Sequence, residues 1–245
     1  MTTVILFVLG AIVGSFLNVV ALRWNVKDFG GRSRCLSCQR RLKWYELVPI
    51  LSFILLCAKC RTCSGTISLQ YLLVEIWTGL IFVTVPPMLI ALFCLYVVIT
   101  LYDLKYKIIP DGLVYPSILL ALIGAYFWPL TAYTVLDWLT GPIIFVFFGA
   151  VWLFSHGRAM GFGDAKLGLS VGLTLGAVYG FSGIILAFWM GAFCSLSYLF
   201  LNKVGFLEGH KKLTMKSEMP FAPFIVLGAW ISLMFHFNIL HVASF

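Results

Sequence analysis

Eight apolar runs, nearly free of charged side chains, divide this chain and limit how it can fold. Most are close to the roughly 17 to 25 residues that a helix needs to cross a bilayer. Only 11% of all residues are charged, against about 25% in a typical soluble domain. The mean hydropathy is +1.03, and a soluble core could not bury the apolar surface of so hydrophobic a chain. We therefore predict an all-α, polytopic membrane protein with about eight transmembrane helices. The runs are residues 4–22, 69–84, 88–102, 113–128, 138–154, 166–178, 183–201 and 220–239.

The third and sixth runs are short, so a chain with seven spans is the alternative interpretation. The first run is predicted to be a permanent span and not a cleaved signal peptide. No positive charge precedes it, and it is longer than an ordinary signal core.

The basic residues occur in alternate connections between the apolar runs. Nine of the 17 Lys and Arg residues lie between Arg23 and Arg61, and the others follow the third, fifth and seventh runs. Because short basic loops stay on the cytoplasmic side, this alternation places both termini outside the cytoplasm. The net charge of +8 then reflects topology and attraction to anionic membrane lipids, and it argues against nucleic acid as a partner.

The longest polar segment, residues 23–68, contains five of the seven cysteines. Cys35 and Cys38 form one CxxC pair, Cys60 and Cys63 form a second, and 21 residues separate the two pairs. Two such pairs at about this spacing are typical of a zinc site with four thiolate ligands. Thiolates persist in a cytoplasmic loop, where disulfides are disfavoured. A zinc site with four protein ligands is structural, because it leaves no open position for a substrate.

Cys57 is the complication in this assignment, because Cys57 and Cys60 form a further CxxC pair. We prefer Cys63 as the ligand, since Gly65 follows it as a turn residue and Cys57 ends an apolar stretch. A redox dithiol and chance spacing are the alternatives to a metal site.

Two acids stand at the edges of apolar runs. Asp103 closes the third run, and Asp164 ends the sequence GFGD just before the sixth. An ionisable residue at membrane depth is costly and by default marks a functional site. Gly161 and Gly163 precede Asp164, and they would allow an extended backbone that a peptide strand could approach closely. This is the outline of an aspartyl active site in a membrane.

Each acid also has a simpler interpretation to weigh. Asp164 would serve as the N-cap of the helix that follows it. Asp111 is the alternative to Asp103 as the acid that pairs with Asp164. However, Asp111 lies between Pro110 and Gly112, a context typical of a turn or cap. We favour Asp103, which lies nearer the hydrocarbon.

These features, taken in order, resemble the type IV prepilin peptidases, membrane aspartic peptidases with a GxGD signature. The chain departs from that family's pattern at Gln70, where an Arg is usual, at Ala222, where a Gly is usual, and at Leu36-Ser37, where a Pro often stands. The motifs that carry the resemblance are GSFLNVVALR (14–23), WYELVPILSF (44–53), ISLQYLLVE (67–75), YDLKYKIIPD (102–111), GFGDAKLGLSVG (161–172) and PFAPF (220–224).

The resemblance implies a function and a set of site residues. Asp103 and Asp164 would be the catalytic pair, with Gly161 and Gly163 as motif support. The substrates would be prepilins or pseudopilins of the bacterial cytoplasmic membrane, cut after a Gly at the cytoplasmic membrane edge. Family members with the cysteine loop also methylate the new N-terminus from S-adenosylmethionine. Glu46 and Glu75 lie in the region associated with that second activity.

Three domains follow from this interpretation. Residues 1–22 form the first transmembrane helix. Residues 23–68 form the cytoplasmic four-cysteine zinc loop, the methyltransferase-associated region. Residues 69–245 form the transmembrane GxGD aspartic peptidase domain. The sequence gives no basis for assigning an oligomeric state.

Two functions of other classes stay open from the residues alone. Acids within the membrane relay protons in proton-coupled transporters, although no inverted repeat is visible here. A noncatalytic scaffold with a zinc loop, part of a pilus or secretion machine, is the other alternative. If the protein is such a scaffold, Asp103 and Asp164 could each be replaced by Asn without loss of function.

Overall fold

A computed structural model describes residues 1–24, 33–35, 37–127, 134–203 and 220–239. Within these ranges the chain is helical, and its only β-structure is two isolated bridges. Leu36, residues 25–32 of the predicted zinc loop and the predicted cytoplasmic residues Lys211, Lys212 and Lys216 lie outside them. The helices are α1 (Thr2–Arg23), α2 (Leu51–Leu55), α3 (Leu69–Thr84), α4 (Pro87–Tyr106), α5 (Asp111–Phe127), α6 (Val135–Phe154), α7 (Phe162–Lys203) and α8 (Ala222–Phe235), with a 3-10 turn at Trp44–Leu47.

Four of the described helices, α1, α4, α6 and α7, are long and apolar enough to cross a membrane. The helices α3, α5 and α8 are shorter but also apolar. With its 42 residues, α7 would be about 63 Å long if straight, roughly twice the thickness of a bilayer core. It therefore counts as two spans. The prediction of an all-α, multi-pass membrane protein with about eight transmembrane helices is confirmed.

Gly176 divides α7 into two halves. Its backbone, with φ 67° and ψ −168°, lies in a region that only glycine occupies readily. A Cβ atom added to Gly180 would lie 3.5 Å from the Cα atom of Gly172, although eight residues span about 12 Å in a continuous helix. The chain therefore reverses at Gly176, and the halves pack against each other. The predicted connection at residues 179–182 is wrong, because that segment is helical.

Asp137 explains why the reversal falls at this point. Its carboxylate accepts the Ala177 N–H at 2.7 Å and also the N–H and hydroxyl of Thr134 at the start of α6. One buried side chain thus caps α6 and supplies an acceptor for the backbone just after the break. A Cβ atom on Gly176 would lie 2.6 Å from this carboxylate, so only glycine fits.

The chain divides into two compact units, Met1–Val98 and Ile99–Phe245. In the first unit α1 packs against α3. A Cβ atom on Gly10 would lie 2.7 Å from the Thr78 carbonyl oxygen and 2.9 Å from the Cα atom of Gly79. Small residues thus bring the two backbones into direct contact, as is usual between membrane helices.

In the second unit α7 is the central helix and packs against α5, α6 and α8. The crossing with α6 depends on glycine, since a Cβ atom on Gly172 would lie 2.7 Å from the Cα atom of Gly141. The crossing with α8 is similar, because a Cβ atom on Gly183 would lie 3.1 Å from the Cα atom of Ala229. These close crossings fix α6 and α8 against α7.

Candidate active site and candidate metal centre

Asp103 lies in the last turn of α4 and is only 4% exposed. Its carboxylate accepts the backbone N–H of Ala222, the first residue of α8, at 3.2 Å. The N-terminus of a helix offers unpaired N–H groups and a partial positive charge, and both favour an anion. The PFAPF motif therefore places the beginning of α8 against the acid that ends α4.

Asp164 lies in the first turn of α7 and is 7% exposed. Its carboxylate accepts the Gly161 N–H at 3.3 Å, and its own N–H donates to the Gly161 carbonyl. Since α7 begins at Phe162, Asp164 is the third helical residue. The interpretation of Asp164 as an N-cap is therefore wrong in position, although its side chain still binds a backbone N–H at the helix start.

Asp103 and Asp164 lie in the same unit and repel each other electrostatically. Among the described residues, neither forms an ion pair with Lys, Arg or His. Burying one acid without a counter-ion is costly, and burying two that interact is harder still to explain as packing. Such a pair can share one proton, which leaves one group to accept a proton from water and one to donate a hydrogen bond.

Asp111 differs from Asp103 and Asp164 because its carboxylate has a cation as its partner. It is the first residue of α5, its side chain is 59% exposed, and its carboxylate binds the Lys166 ammonium at 2.5 Å. The ammonium also lies over the rings of Tyr115 and Phe162, at 5.1 and 5.3 Å from their centres. Asp111 is thus an exposed acid that is neutralised by a cation. This arrangement leaves Asp103 as the partner of Asp164.

Gly163 is needed for close packing. A Cβ atom at this position would lie 2.8 Å from the Cβ atom of Ile109, in the connection between α4 and α5. The prediction of an extended backbone is wrong here, because Phe162 and Gly163 already belong to the helix. Gly161 precedes the helix and supplies the N–H that Asp164 accepts.

The first unit contains the four predicted metal ligands in one cluster. The sulfur atoms of Cys35, Cys38, Cys60 and Cys63 all lie within 4.8 Å of one another. Those of Cys35 and Cys63 are 3.7 Å apart, close to the spacing of about 3.8 Å that tetrahedral ligation with bonds of about 2.3 Å requires. Cys57 is not in the cluster. The donor set therefore fits zinc.

The two CxxC pairs have the same backbone geometry. The Cys35 N–H donates to the Arg40 carbonyl, and the Cys60 N–H donates to the Gly65 carbonyl. Gln39 and Ser64 occupy equivalent places with positive φ angles of 57° and 54°. Each pair is therefore a short hairpin that presents two sulfur atoms, and the two hairpins face one metal position.

Backbone N–H groups prepare two of the four sulfur atoms for a cation. Those of Cys63 and Thr62 lower the pKa of the Cys60 thiol to about 6. Those of Cys38 and Ser37 similarly lower the pKa of the Cys35 thiol. These N–H groups thus shift both thiols toward the thiolate form that binds a metal.

Glu46 is tied to the first hairpin. It is buried, and its carboxylate accepts the Arg40 guanidinium at 2.6 Å and the Lys43 N–H at 2.8 Å. The bond from Arg40 holds the pKa of Glu46 below its usual value. Its contacts link the 3-10 turn to the residues just after Cys38, which indicates a structural contribution.

Glu75 has different partners. It lies in α3, is 6% exposed, and accepts the Ile50 N–H at 2.8 Å and a hydrogen bond from the Ser15 side chain. Ile50 has φ 63° and ψ −55°, and the Leu51 N–H donates to the Pro49 carbonyl. This is a γ-turn of the strained type. Glu75 therefore fixes an unfavourable turn in the loop.

Three polar residues with structural contacts were not predicted from the sequence: Asn18 and Asp137, which are buried, and Ser15, which is half-buried. A signal for Asp137 was present, because Thr134 and Asp137 have the spacing of a capping box. Ser15 and Asn18 lie within the GSFLN segment of α1. A Ser and an Asn on the helix face that also carries Gly14 could have indicated a polar contact there.

The fold and this site define the class of the protein: a multi-pass helical membrane enzyme with a buried pair of carboxylates and a four-cysteine loop. Residues 8–88 match the bacterial peptidase A24 N-terminal domain, and residues 88–196 match the type IV leader peptidase family. The chain belongs to the type IV leader peptidase family and is a peptidase. The resemblance seen in the sequence is confirmed, and it favours a peptidase over a transporter or a scaffold.

Individual relatives agree with this assignment. The chain is 36% identical over 190 residues to a prepilin leader peptidase/N-methyltransferase from Myxococcus xanthus, with 70% of this chain and 56% of that protein covered. Proteins of the same description from Vibrio cholerae serotype O1 and Pseudomonas putida are 33% and 28% identical. Those matches cover 70% and 93% of this chain, and 77% and 88% of the relatives. No solved structure matches the chain.

Proposed function

We propose that this protein is an aspartic endopeptidase of the membrane that removes the basic leader from type IV prepilins or pseudopilins. The cut follows a Gly at the cytoplasmic membrane edge. The observation that carries the proposal is the pair Asp103 and Asp164, which is buried, mutually repelling and without a cation among the described residues.

Each carboxylate has a defined task in this mechanism. One is ionised and takes a proton from the attacking water, and the other is protonated and polarises the carbonyl of the scissile bond. The two titrate as a unit, so the roles belong to the pair. The Ala222 and Gly161 N–H groups bind one carboxylate each. These bonds orient the acids, and enough lone pairs remain for the water and the substrate.

The position of the cut follows from the topology that we propose. The basic connections lie in the cytoplasm and both termini lie outside, in the bacterial cytoplasmic membrane. Asp103 at the end of α4 and Asp164 at the start of α7 then lie at the cytoplasmic ends of their helices. A substrate with a basic leader before a single apolar helix presents its leader boundary at this depth.

We propose a second activity, methylation of the new N-terminal amine. The match to the A24 N-terminal domain and the N-methyltransferase description shared by the relatives support it. S-adenosylmethionine would supply the methyl group. Zinc held by Cys35, Cys38, Cys60 and Cys63 would stabilise the loop of residues 23–68, which is the region we associate with this activity, together with Glu46 and Glu75. Residues 69–245 would form the peptidase domain.

The decisive experiment is cleavage of a prepilin by the purified protein in detergent, with product masses read by mass spectrometry. Asp103→Asn and Asp164→Asn should each reduce cleavage by at least about a thousandfold, because residues that act as a unit fail together. Asp111→Asn is the matched control, since that acid is exposed and paired with Lys166, and it should retain cleavage. Cleavage by either of the first two variants at the wild-type rate would refute the assignment of the pair.

A further inference from the structure

The interface between α1 and α3 contains a polar cluster that the peptidase mechanism does not use, with two buried members and one half-buried member. We define it as Ser15 and Asn18 of α1 with Glu75 of α3. Among the described residues, Glu75 forms no ion pair. Its carboxylate accepts bonds from the Ile50 N–H and the Ser15 side chain. A carboxylate has about four acceptor positions, so Glu75 can accept further hydrogen bonds.

Asn18 supplies a second open acceptor. It is 0% exposed, and its side-chain nitrogen donates to the Gly14 carbonyl at 3.3 Å. Because a carbonyl can only accept, this bond determines which way the amide is oriented. The Asn18 oxygen is then left without a partner among the described residues. A buried amide oxygen in this state is costly unless something binds it.

The cluster lies where the two helices meet. A Cβ atom on Gly14 would lie 3.1 Å from the Cα atom of Glu75, so this face of α1 is in contact with α3. Asn18 is one turn further along the same face, toward the cysteine loop. Glu75 also holds Ile50 in its strained γ-turn. Strained backbone that is held by a buried acid is typical of a binding site.

The unfilled positions indicate the chemistry of the ligand. Both the Glu75 carboxylate and the Asn18 oxygen are acceptors, so a ligand must donate hydrogen bonds. The uncompensated negative charge of an ionised Glu75 favours a cation. A primary ammonium has three N–H donors and one positive charge. A sulfonium has the charge but no donor, so the reactive centre of the methyl donor does not satisfy Asn18. The methyl donor also carries a primary ammonium on its methionine part, and the test below separates that ammonium from the N-terminus of a peptide.

We propose that Ser15, Asn18 and Glu75 form a binding site for a primary ammonium group, namely the new N-terminus that leader removal produces. The inference rests on the proposed peptidase function, because only cleavage creates this amine. It deepens the proposed methylation by giving the accepting amine a place in the chain. Glu46 has no such role, because its carboxylate is already bound by Arg40 and the Lys43 N–H.

The test is binding of a fluorescent peptide with the mature pilin N-terminal sequence to the full-length protein in detergent. The peptide is compared with the same peptide acetylated at its N-terminus. Acetylation removes the charge and two of the three donors. Wild type should bind the free amine at least about tenfold more tightly, the value of one charge-assisted hydrogen bond.

Two variants should lose this preference. Glu75→Gln removes the charge, and Asn18→Leu removes the acceptor at similar volume. Both should bind the two peptides within about threefold of each other, while they retain prepilin cleavage. Thr78→Val is the matched control in the same interface, because the buried Thr78 hydroxyl is already bonded to Val74 of its own helix. It should keep the wild-type preference.

Several results would overturn the proposal. One is a wild-type protein that binds both peptides equally. Another is retention of the preference by Glu75→Gln and Asn18→Leu. Loss of cleavage together with binding in both variants, with Thr78→Val intact, would show that the cluster only supports the fold. A weaker affinity for S-adenosylmethionine with an unchanged amine preference would assign the cluster to the methyl donor.

This experiment separates failure of the inference from failure of the proposed function. The binding readout needs neither cleavage nor methyl transfer. Preference for the free amine in a protein that cleaves but does not methylate would support the ammonium site and refute the proposed methylation. A protein that methylates but shows no preference would refute the ammonium site alone.

Discussion

At the scale of single residues, the role of each acid is decided by its partner. Asp103 and Asp164 accept backbone N–H groups and have no cation among the described residues. Asp111 is neutralised by Lys166, and Glu46 is held by Arg40. Asp137 caps the start of α6 and binds the backbone after Gly176. Asp103, Asp164 and Glu75 keep acceptor capacity without a cation among the described residues, and only Asp103 and Asp164 of these lie in the same unit. We therefore propose that these two carry catalysis.

Gly163→Ala should lower cleavage by about tenfold to a hundredfold, since small displacements of reacting groups have effects of this size. The new methyl group would meet the Cβ atom of Ile109 and shift the first turn of α7, which carries Asp164. The measurement is kcat/KM on a prepilin substrate.

The control for this prediction is Gly149→Ala in α6, where an added Cβ atom meets nothing within 4 Å. It should leave kcat/KM unchanged and stabilise the helix slightly. Equal activity of the Gly163 variant and the control would show that the close contact with Ile109 does not position Asp164.

At the scale of elements, the chain uses glycine for two different purposes. Gly141 and Gly172 allow α6 and α7 to approach closely. Gly176 instead reverses the chain and converts one long apolar helix into two spans. The two CxxC hairpins are a repeated element of another kind, in which paired backbone turns present the four sulfur atoms.

Gly176→Ala should destabilise the protein by about 1 to 3 kcal/mol, because its backbone conformation is unfavourable for any residue with a side chain. The contact with Asp137 adds to this cost. Thermal unfolding in detergent measures the effect. The comparison is Gly191→Ala in the same helix, where the nearest atom would be at an ordinary 3.4 Å. If both variants unfold at the same temperature, the reversal at Gly176 is incorrect.

Cys60→Ser should remove the bound zinc, because a four-thiolate site that loses one ligand binds zinc much more weakly. Cys57→Ser is its matched control, since Cys57 lies outside the cluster, and it should retain one zinc ion per chain. Elemental analysis of the two purified variants measures how many zinc ions each chain retains. Loss of zinc in the Cys57 variant would show that Cys57 is a ligand.

At the scale of the whole molecule, the distribution of charge and the apolar helices describe a multi-pass membrane protein. The basic residues Lys105, Lys107, Arg158 and Lys166 border the ends and beginnings of helices that also carry Asp103, Asp111 and Asp164. Retention of basic segments in the cytoplasm would therefore orient the acid pair toward the side where a basic leader lies.

A phosphatase that is active only outside the cytoplasm should be inactive when fused after Arg158 and active when fused after Thr134. These positions lie at opposite ends of α6. Enzyme activity in a bacterial host reports the orientation. The reverse pattern would place the basic connections outside and would exclude cleavage at the cytoplasmic edge.

Local features of the sequence were enough to predict the class of fold and the candidates for the site. Transfer into a membrane depends on the composition of about 20 consecutive residues, so the number of spans followed from the apolar runs. Metal ligation depends on cysteine spacing, so the four ligands were also predicted. The GxGD motif and the acid at the end of the third run identified the candidate pair before any contact was known.

Which polar groups are paired, and which keep an open acceptor position, depends on contacts between distant parts of the chain. Asp103 meets Ala222 across 119 residues, and Asp137 meets Ala177 across 40. No local pattern can predict contacts of this range. The same holds for the reversal at Gly176 and for the Asn18 oxygen, which has no partner among the described residues. The reason is physical: hydropathy and capping act over one or two turns, whereas a carboxylate takes its role from whichever distant backbone or cation the packing brings to it.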